Sequence, residues 1–178
     1  MVTLLRFLIG CSLLLLMSCK NEPTLQKYFV ENTENKDFVA LDLTPKMLNI
    51  DNNKLNATQK EALASFEKIN VLAFKINEKN KAQYDTEKTK VNTILKDVKY
   101  QQLMKFGSGG STAQISFVGE DEHIEEFILF GSKSDNGFAV VRVLGKDMNP
   151  TYIMEMMSVL KNSNIDMEQL KPLQELMK

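Results

Sequence analysis

The sequence predicts an α+β domain: an antiparallel β-meander sheet with flanking helices at the N-terminus, in the middle and at the C-terminus. Three observations lead there. Apolar residues recur at helical spacing after Thr24, over 81–98 and after Pro150. From Tyr100 onward the apolar period changes to two. The two-period runs are separated by short polar links of the kind that join antiparallel neighbours. With 178 residues, 43% of them hydrophobic and 25% charged, the chain has the material for one folded domain with a real core.

The first segment carries an address. Arg6 supplies the positive start and Phe7–Leu16 the apolar centre of a secretory signal; the run is too short to span a bilayer, which takes roughly 20 apolar residues. Leu16, Met17, Ser18 and Cys19 resemble the bacterial lipobox. That resemblance implies a diacylglyceryl group on the Cys19 sulfur, cleavage before Cys19, and acylation of the freed amino group by a fatty acid such as palmitate. Residues 1–18 are thus expected to be a signal peptide and 19–24 a lipidated tether containing Pro23, with 25–178 a single α+β domain. The only cysteines are Cys11 and Cys19, so no disulfide is expected in the domain. Cleavage takes away Arg6 alone among charged residues, leaving 21 basic against 23 acidic side chains, a net of −2.

Along the domain, Thr24 is placed to cap a helix with Leu25, Tyr28 and Phe29 on one face, running to Asn35. Phe38–Leu43 alternates as a strand and stops at Thr44-Pro45. Thr58 and Glu61 have capping-box spacing, opening a helix to Phe66. A strand over Val71–Ile76 follows, then a charged helix over Lys81–Val98 with Tyr84, Val91, Ile94, Leu95 and Val98 as its stripe. Strands are expected over Tyr100–Phe106, Thr112–Val118, Glu125–Phe130 and Phe138–Leu144. Asn149-Pro150 begins the C-terminal helices, 150–177, with Ile153, Met154, Met156, Met157 and Leu160 inward. Asp166–Met177 carries Leu170, Leu173 and Leu176, is broken by Pro172, and is expected to pack onto the domain.

The charge balance of −1 gives no electrostatic case for nucleic acid. "GSGGS" (107–111) lacks the Lys-Ser/Thr of a phosphate loop and reads as a hairpin turn. "GEDEH" (119–123) gathers acidic oxygens around the one histidine, His123, without the ligand spacing of a calcium loop. It reads as a solvated tip, with a hydrolase or small-ligand enzyme using the acidic 120–126 turn as the alternative. No catalytic set, metal set or cofactor motif is found, so no cofactor is expected. The Met-rich "YIMEMM" (152–157) is a candidate partner surface, for which Met154, Met157 and Arg142 are singled out; Arg142 is the one charge in an otherwise apolar strand.

Three stretches carry a family resemblance: "ALDLTPKML" (40–48), "FEKINVLAFK" (66–75) and "IEEFILFGSKSDNGFAVVRVLGKD" (124–147). Across residues 25–147 the chain resembles small envelope lipoproteins of Bacteroidota known only as a domain of unknown function. The resemblance implies a lipid anchor and a compact α+β domain, and it brings no catalytic residues. The expectation is a protein held to the outer or inner membrane of the bacterial envelope, outside the cytoplasm, by acylated Cys19. Its domain would bind or scaffold another envelope protein without being an enzyme.

Overall fold

A computed structural model describes residues 22–48 and 50–162 of the chain. Among these, four α-helices accompany a six-stranded, wholly antiparallel sheet. The elements are α1 (Leu25–Asn32), β1 (Phe38–Leu43), α2 (Ala57–Ser65), β2 (Phe66–Lys75), α3 (Lys81–Ile94), β3 (Gln101–Ser108), β4 (Ser111–Glu120), β5 (His123–Lys133), β6 (Gly137–Met148) and α4 (Pro150–Asn162). The predicted α+β class and the predicted distribution of helices are those observed.

The strand order is β1-β2-β6-β5-β4-β3. Strands β3 to β6 form the meander, whose last strand, β6, pairs with β2, and β1 pairs with β2 on the far side, the two being joined through α2. Helices pack on both faces of the sheet, leaving its β3 end exposed. On one, α1 and α3 bring Leu25, Tyr28, Tyr84 and Val91 onto Phe74, Phe130 and Phe138. On the other, α2 and α4 bring Ala62 and Met156 onto Phe117, Phe127 and Val143. This explains the apolar character of both faces of β6, which a half-solvated strand would not tolerate. The first core is strongly aromatic, with Phe74 and Phe138 stacked at 5.5 Å between centroids and Phe38 edge-on to both.

Local chemistry sets the boundaries. Thr24 accepts from the Lys27 N–H at 3.2 Å, the predicted cap, and α1 closes at Asn32 rather than Asn35. The capping box of α2 belongs to Asn56 and Gln59, not to Thr58 and Glu61. Asn56 Oδ1 accepts from the Gln59 N–H at 2.8 Å and Gln59 Oε1 accepts from the Asn56 N–H at 3.2 Å. Two N–H groups are thereby satisfied two residues earlier, and Thr58 falls inside the helix. Strand β2 begins at Phe66, five residues before the predicted start, because Phe66 is already extended (φ −87°, ψ 132°) and the chain passes from helix to strand without a loop.

Helix α3 ends at Ile94, and the turn closed by the Tyr100 N–H on the Asp97 carbonyl swings Val98 into solvent, off the predicted stripe. In the β3–β4 hairpin, Ser108 pairs with Ser111 across the two residues Gly109 and Gly110, both at positive φ (55° and 82°), as a tight turn of primed type requires. The predicted helical stretch 166–177 lies outside the described residues, as do Leu16, Met17, Ser18 and Cys19.

Candidate binding surface

Arg142 projects from β6 toward α1. Its Nε donates to Glu126 Oε1 at 2.5 Å, a terminal N–H donates to Gln26 Oε1 at 2.7 Å, and the guanidinium lies over the Phe29 ring at 5.3 Å. The residue is only 5% exposed. It therefore fastens α1 to the sheet and offers no partner surface, which corrects the sequence reading: a lone charge in a strand with two covered faces must be paired internally. Register puts Asn70 and then Asp42 beside it on successive strands. Burial pushes the Asp42 carboxyl up, but hydrogen bonds from Lys68 and Asn70, together with the charges of Lys68 and Arg142, outweigh it and hold the group below the usual carboxylate range.

The acidic turn is a two-residue hairpin, Asp121-Glu122, between β4 and β5. His123 Nδ1 lies 2.9 Å from Asp147 Oδ1, at a bulge of β6 where Asp147 itself has φ 52°. The hydrogen bond to Asp147 raises the His123 pKa, with Asp147, Glu120 and Glu122 adding charge in the same direction. Both partners of this pair stand in solvent. Among the described residues, no group of three or more His, Cys, Asp or Glu side chains is placed to hold a metal ion.

Between α1 and α3 lies a cleft of about 700 Å³, lined among others by Lys27, Glu31, Asp85, Thr89, Lys90 and Thr93. Its inner wall is held by Glu87, which accepts from the Tyr28 hydroxyl at 2.9 Å and from Lys90 Nζ at 2.7 Å. Burial and then Glu87 push the Tyr28 hydroxyl well above its ordinary range, so it stays a donor. The lining mixes two cations, two anions and hydroxyls, and its size is that of a small-molecule site.

The two edges of the sheet differ. Strand β1 is six residues long, carries the exposed charge of Asp42 and runs into Pro45, features that blunt an edge against pairing. Strand β3 is eight residues long, and every one of its residues is exposed. It presents Leu103 (47% exposed), Met104 (44%) and Phe106 (56%), with Lys105 as its single charge. Nothing among the described residues pairs with its outer side. Of the predicted partner residues on α4, Met154 points outward at 72% exposed, contrary to the inward stripe expected of it, while Met156 is buried; the side chain of Met157 lies outside the described residues. Sequence reasoning missed β3 as the exposed edge. A strand's position in a sheet is not written in its own residues, and the only local signal was the unalternated "LMKF" (103–106).

A family model described as a domain of unknown function (DUF4252) matches residues 28–156. That interval contains all six strands of the described residues. No curated protein and no solved structure matches the chain.

Proposed function

The chain belongs to the family described as a domain of unknown function, DUF4252, and from that premise we propose that it is a lipid-anchored protein of the bacterial cell envelope whose domain binds another envelope protein and performs no chemistry of its own. The partner contributes an extended segment that adds as a strand to β3. The observation that carries this is the uncovered β3 edge: an eight-residue strand whose backbone groups on the side away from β4 are open to a partner, flanked by apolar side chains and a single charge. Strand addition draws affinity from such backbone groups and specificity from alternate side chains. The anchor rests on Leu16-Met17-Ser18-Cys19 following an apolar run. Acyl chains hold a protein with roughly 0.8 kcal/mol per buried CH₂, and more than one chain is needed for a stable hold.

The test is a crosslinking pull-down from cells making the wild-type chain, Leu103→Lys or Cys19→Ser. Leu103→Lys adds a second cation to the edge, a device by which sheets repel added strands. The expected result is a discrete partner with the wild type, lost with Leu103→Lys. Equal recovery of partner with both, or of none with either, would overturn strand addition. Cys19→Ser is expected to abolish incorporation of labelled palmitate, and retained label would overturn the anchor.

A second reading, a small-ligand site, is favoured by the α1–α3 cleft. Its test is a thermal-shift screen of polar metabolites against the wild type and Thr89→Val; a hit unaffected by the substitution would exclude the cleft.

A further inference from the structure

The edge strand β3 presents its backbone unevenly. Ser108 and Ser111 close the turn Gly109-Gly110, and in a two-residue hairpin the closing pair exchanges both of its N–H···O=C bonds. Pairs then alternate down the ladder. Phe106 opposite Ala113 and Met104 opposite Ile115 turn their backbone groups toward β4, while Gly107 and Lys105 turn theirs outward. Past Met104 the register shifts at Leu103, a bulge that breaks the alternation, so the regular open edge is 104–108. The Ser134 N–H and hydroxyl both donate to the Gly110 carbonyl, at 3.2 and 2.9 Å, which ties the tip of this hairpin to the β5–β6 turn. The side chains of the edge sort by face. Met104 and Phe106, both exposed, share one face with Ile115 and Ala113. Lys105 stands on the other, opposite Gln114 and diagonal to Thr112 and Ser116, none of which carries a charge. It makes no ion pair with any described residue.

We infer that the segment added to β3 alternates apolar and acidic residues: an Asp or Glu opposite Lys105, set between two apolar residues opposite Phe106 and Met104. This rests on the strand-addition reading and names the chemistry of the partner. A strand added antiparallel, like every other strand of the sheet, puts one residue directly opposite Lys105 and on the same face. Such residues stand about 4.5–5.5 Å apart between Cβ atoms, where an opposite charge stabilises and a like charge repels. The neighbours of Lys105 on its own sheet are uncharged, so its counter-charge comes from the partner. The two residues flanking that acid fall, by the period of a strand, on the face of Phe106 and Met104 and cover apolar surface that water now touches. Gly107, the other outward-turned position, has no side chain and sets no requirement on the residue opposite. A second copy of this chain fits the edge less well. Pairing Lys105 with Lys105 puts like charges in register, and pairing it with Gly107 gives it no counter-charge.

The experiment measures the fluorescence anisotropy of labelled seven-residue peptides against the full chain in detergent. In each peptide a central Glu, Gln or Lys lies between two Val residues, with paired Thr at both ends. The Glu peptide is expected to bind roughly two- to fivefold more tightly than the Gln peptide, and the Lys peptide more weakly than either. Added salt should shrink these differences, and Lys105→Glu should invert the order. Amide exchange over 104–108 should slow when the Glu peptide is bound. Equal binding of the three peptides, or an order that Lys105→Glu leaves unchanged, would overturn the inference while strand addition stood. Binding of none, or binding without slower exchange over 104–108, would overturn it too, and the partner pull-down with Leu103→Lys then decides strand addition by itself. A dimer of the chain, seen by sedimentation and dispersed by Leu103→Lys, would put a second copy on the edge and likewise overturn the inference.

Discussion

The hydroxyl oxygen of Tyr100 accepts a hydrogen bond from the backbone N–H of Leu25 at 3.2 Å, across 75 positions of sequence, and both residues are buried. Leu25 is the first residue of α1, and its N–H is one of the four that a helix cannot satisfy internally. Tyr100 stands immediately before β3. The bond therefore fixes the start of α1 next to the sheet edge that we propose as the binding surface. Tyr100→Phe keeps the ring and strands the donor. A loss of about 1–3 kcal/mol is expected, the cost of a buried group left unpaired. Urea unfolding measures it, and faster amide exchange confined to 25–32 would locate it.

The Arg142–Glu126 pair makes the second prediction. Both side chains are largely buried, so removing one leaves a charge without water or partner. Arg142→Met is expected to cost about 3–5 kcal/mol. Arg142→Met with Glu126→Leu should recover most of that, since apolar replacement of a whole buried pair is close to neutral. Denaturation of the two singles and the double closes the cycle. A double variant no more stable than Arg142→Met would show that the pair is not the principal contact.

These two contacts mark where sequence reading stopped. The local elements were legible because their chemistry is local. Thr24 caps the helix it precedes, Pro45 ends β1, and Gly109-Gly110 can only be a tight turn. Period-two runs located the strands of the meander, though short of their true ends, because Gly145, Lys146 and Asp147 belong to a bulged continuation of β6 that breaks the alternation. What depends on the partner strand was not legible. Arg142 looks like a surface charge until Glu126 and Gln26, sixteen positions and 116 positions away, are seen to meet it. Likewise Leu103 and Phe106 read as ordinary strand residues until the strand order puts them on an edge.

The His123–Asp147 contact gives a pH dependence. Asp147 raises the His123 pKa above 6.5, so the folded chain holds the proton more tightly than the unfolded one. The sign follows: the contact stabilises in full below the unfolded histidine pKa and its contribution disappears as pH rises through the higher folded value. His123→Ala should therefore lower the melting temperature slightly in acid and leave it unchanged in alkali. An NMR titration of the ring should find a midpoint above that of free histidine, falling back in Asp147→Asn. A difference between wild type and His123→Ala that grew with pH would contradict the assignment.

Gly137 opens β6 at φ +130°, opposite Lys75, where the last turn of the meander meets β2. A Cβ added there would lie 1.8 Å from the carbonyl oxygen of Phe74, and that oxygen belongs to the rigid backbone of an interior strand. Neither partner can give way without breaking the β2–β6 pairing and the stacked Phe74 and Phe138 beside it. Gly137→Ala is thus expected to cost about 4 kcal/mol or more, at the extreme of single substitutions. Gly107→Ala is the control. Gly107 has ordinary backbone angles, and a Cβ there would meet only the Ser111 carbonyl at 3.7 Å, a normal contact. On the exposed β3 it should be neutral or stabilise by about 0.5 kcal/mol, by lowering the entropy of the unfolded chain. Equal stability of the two variants in urea would mean that the β2–β6 junction is looser than this packing requires.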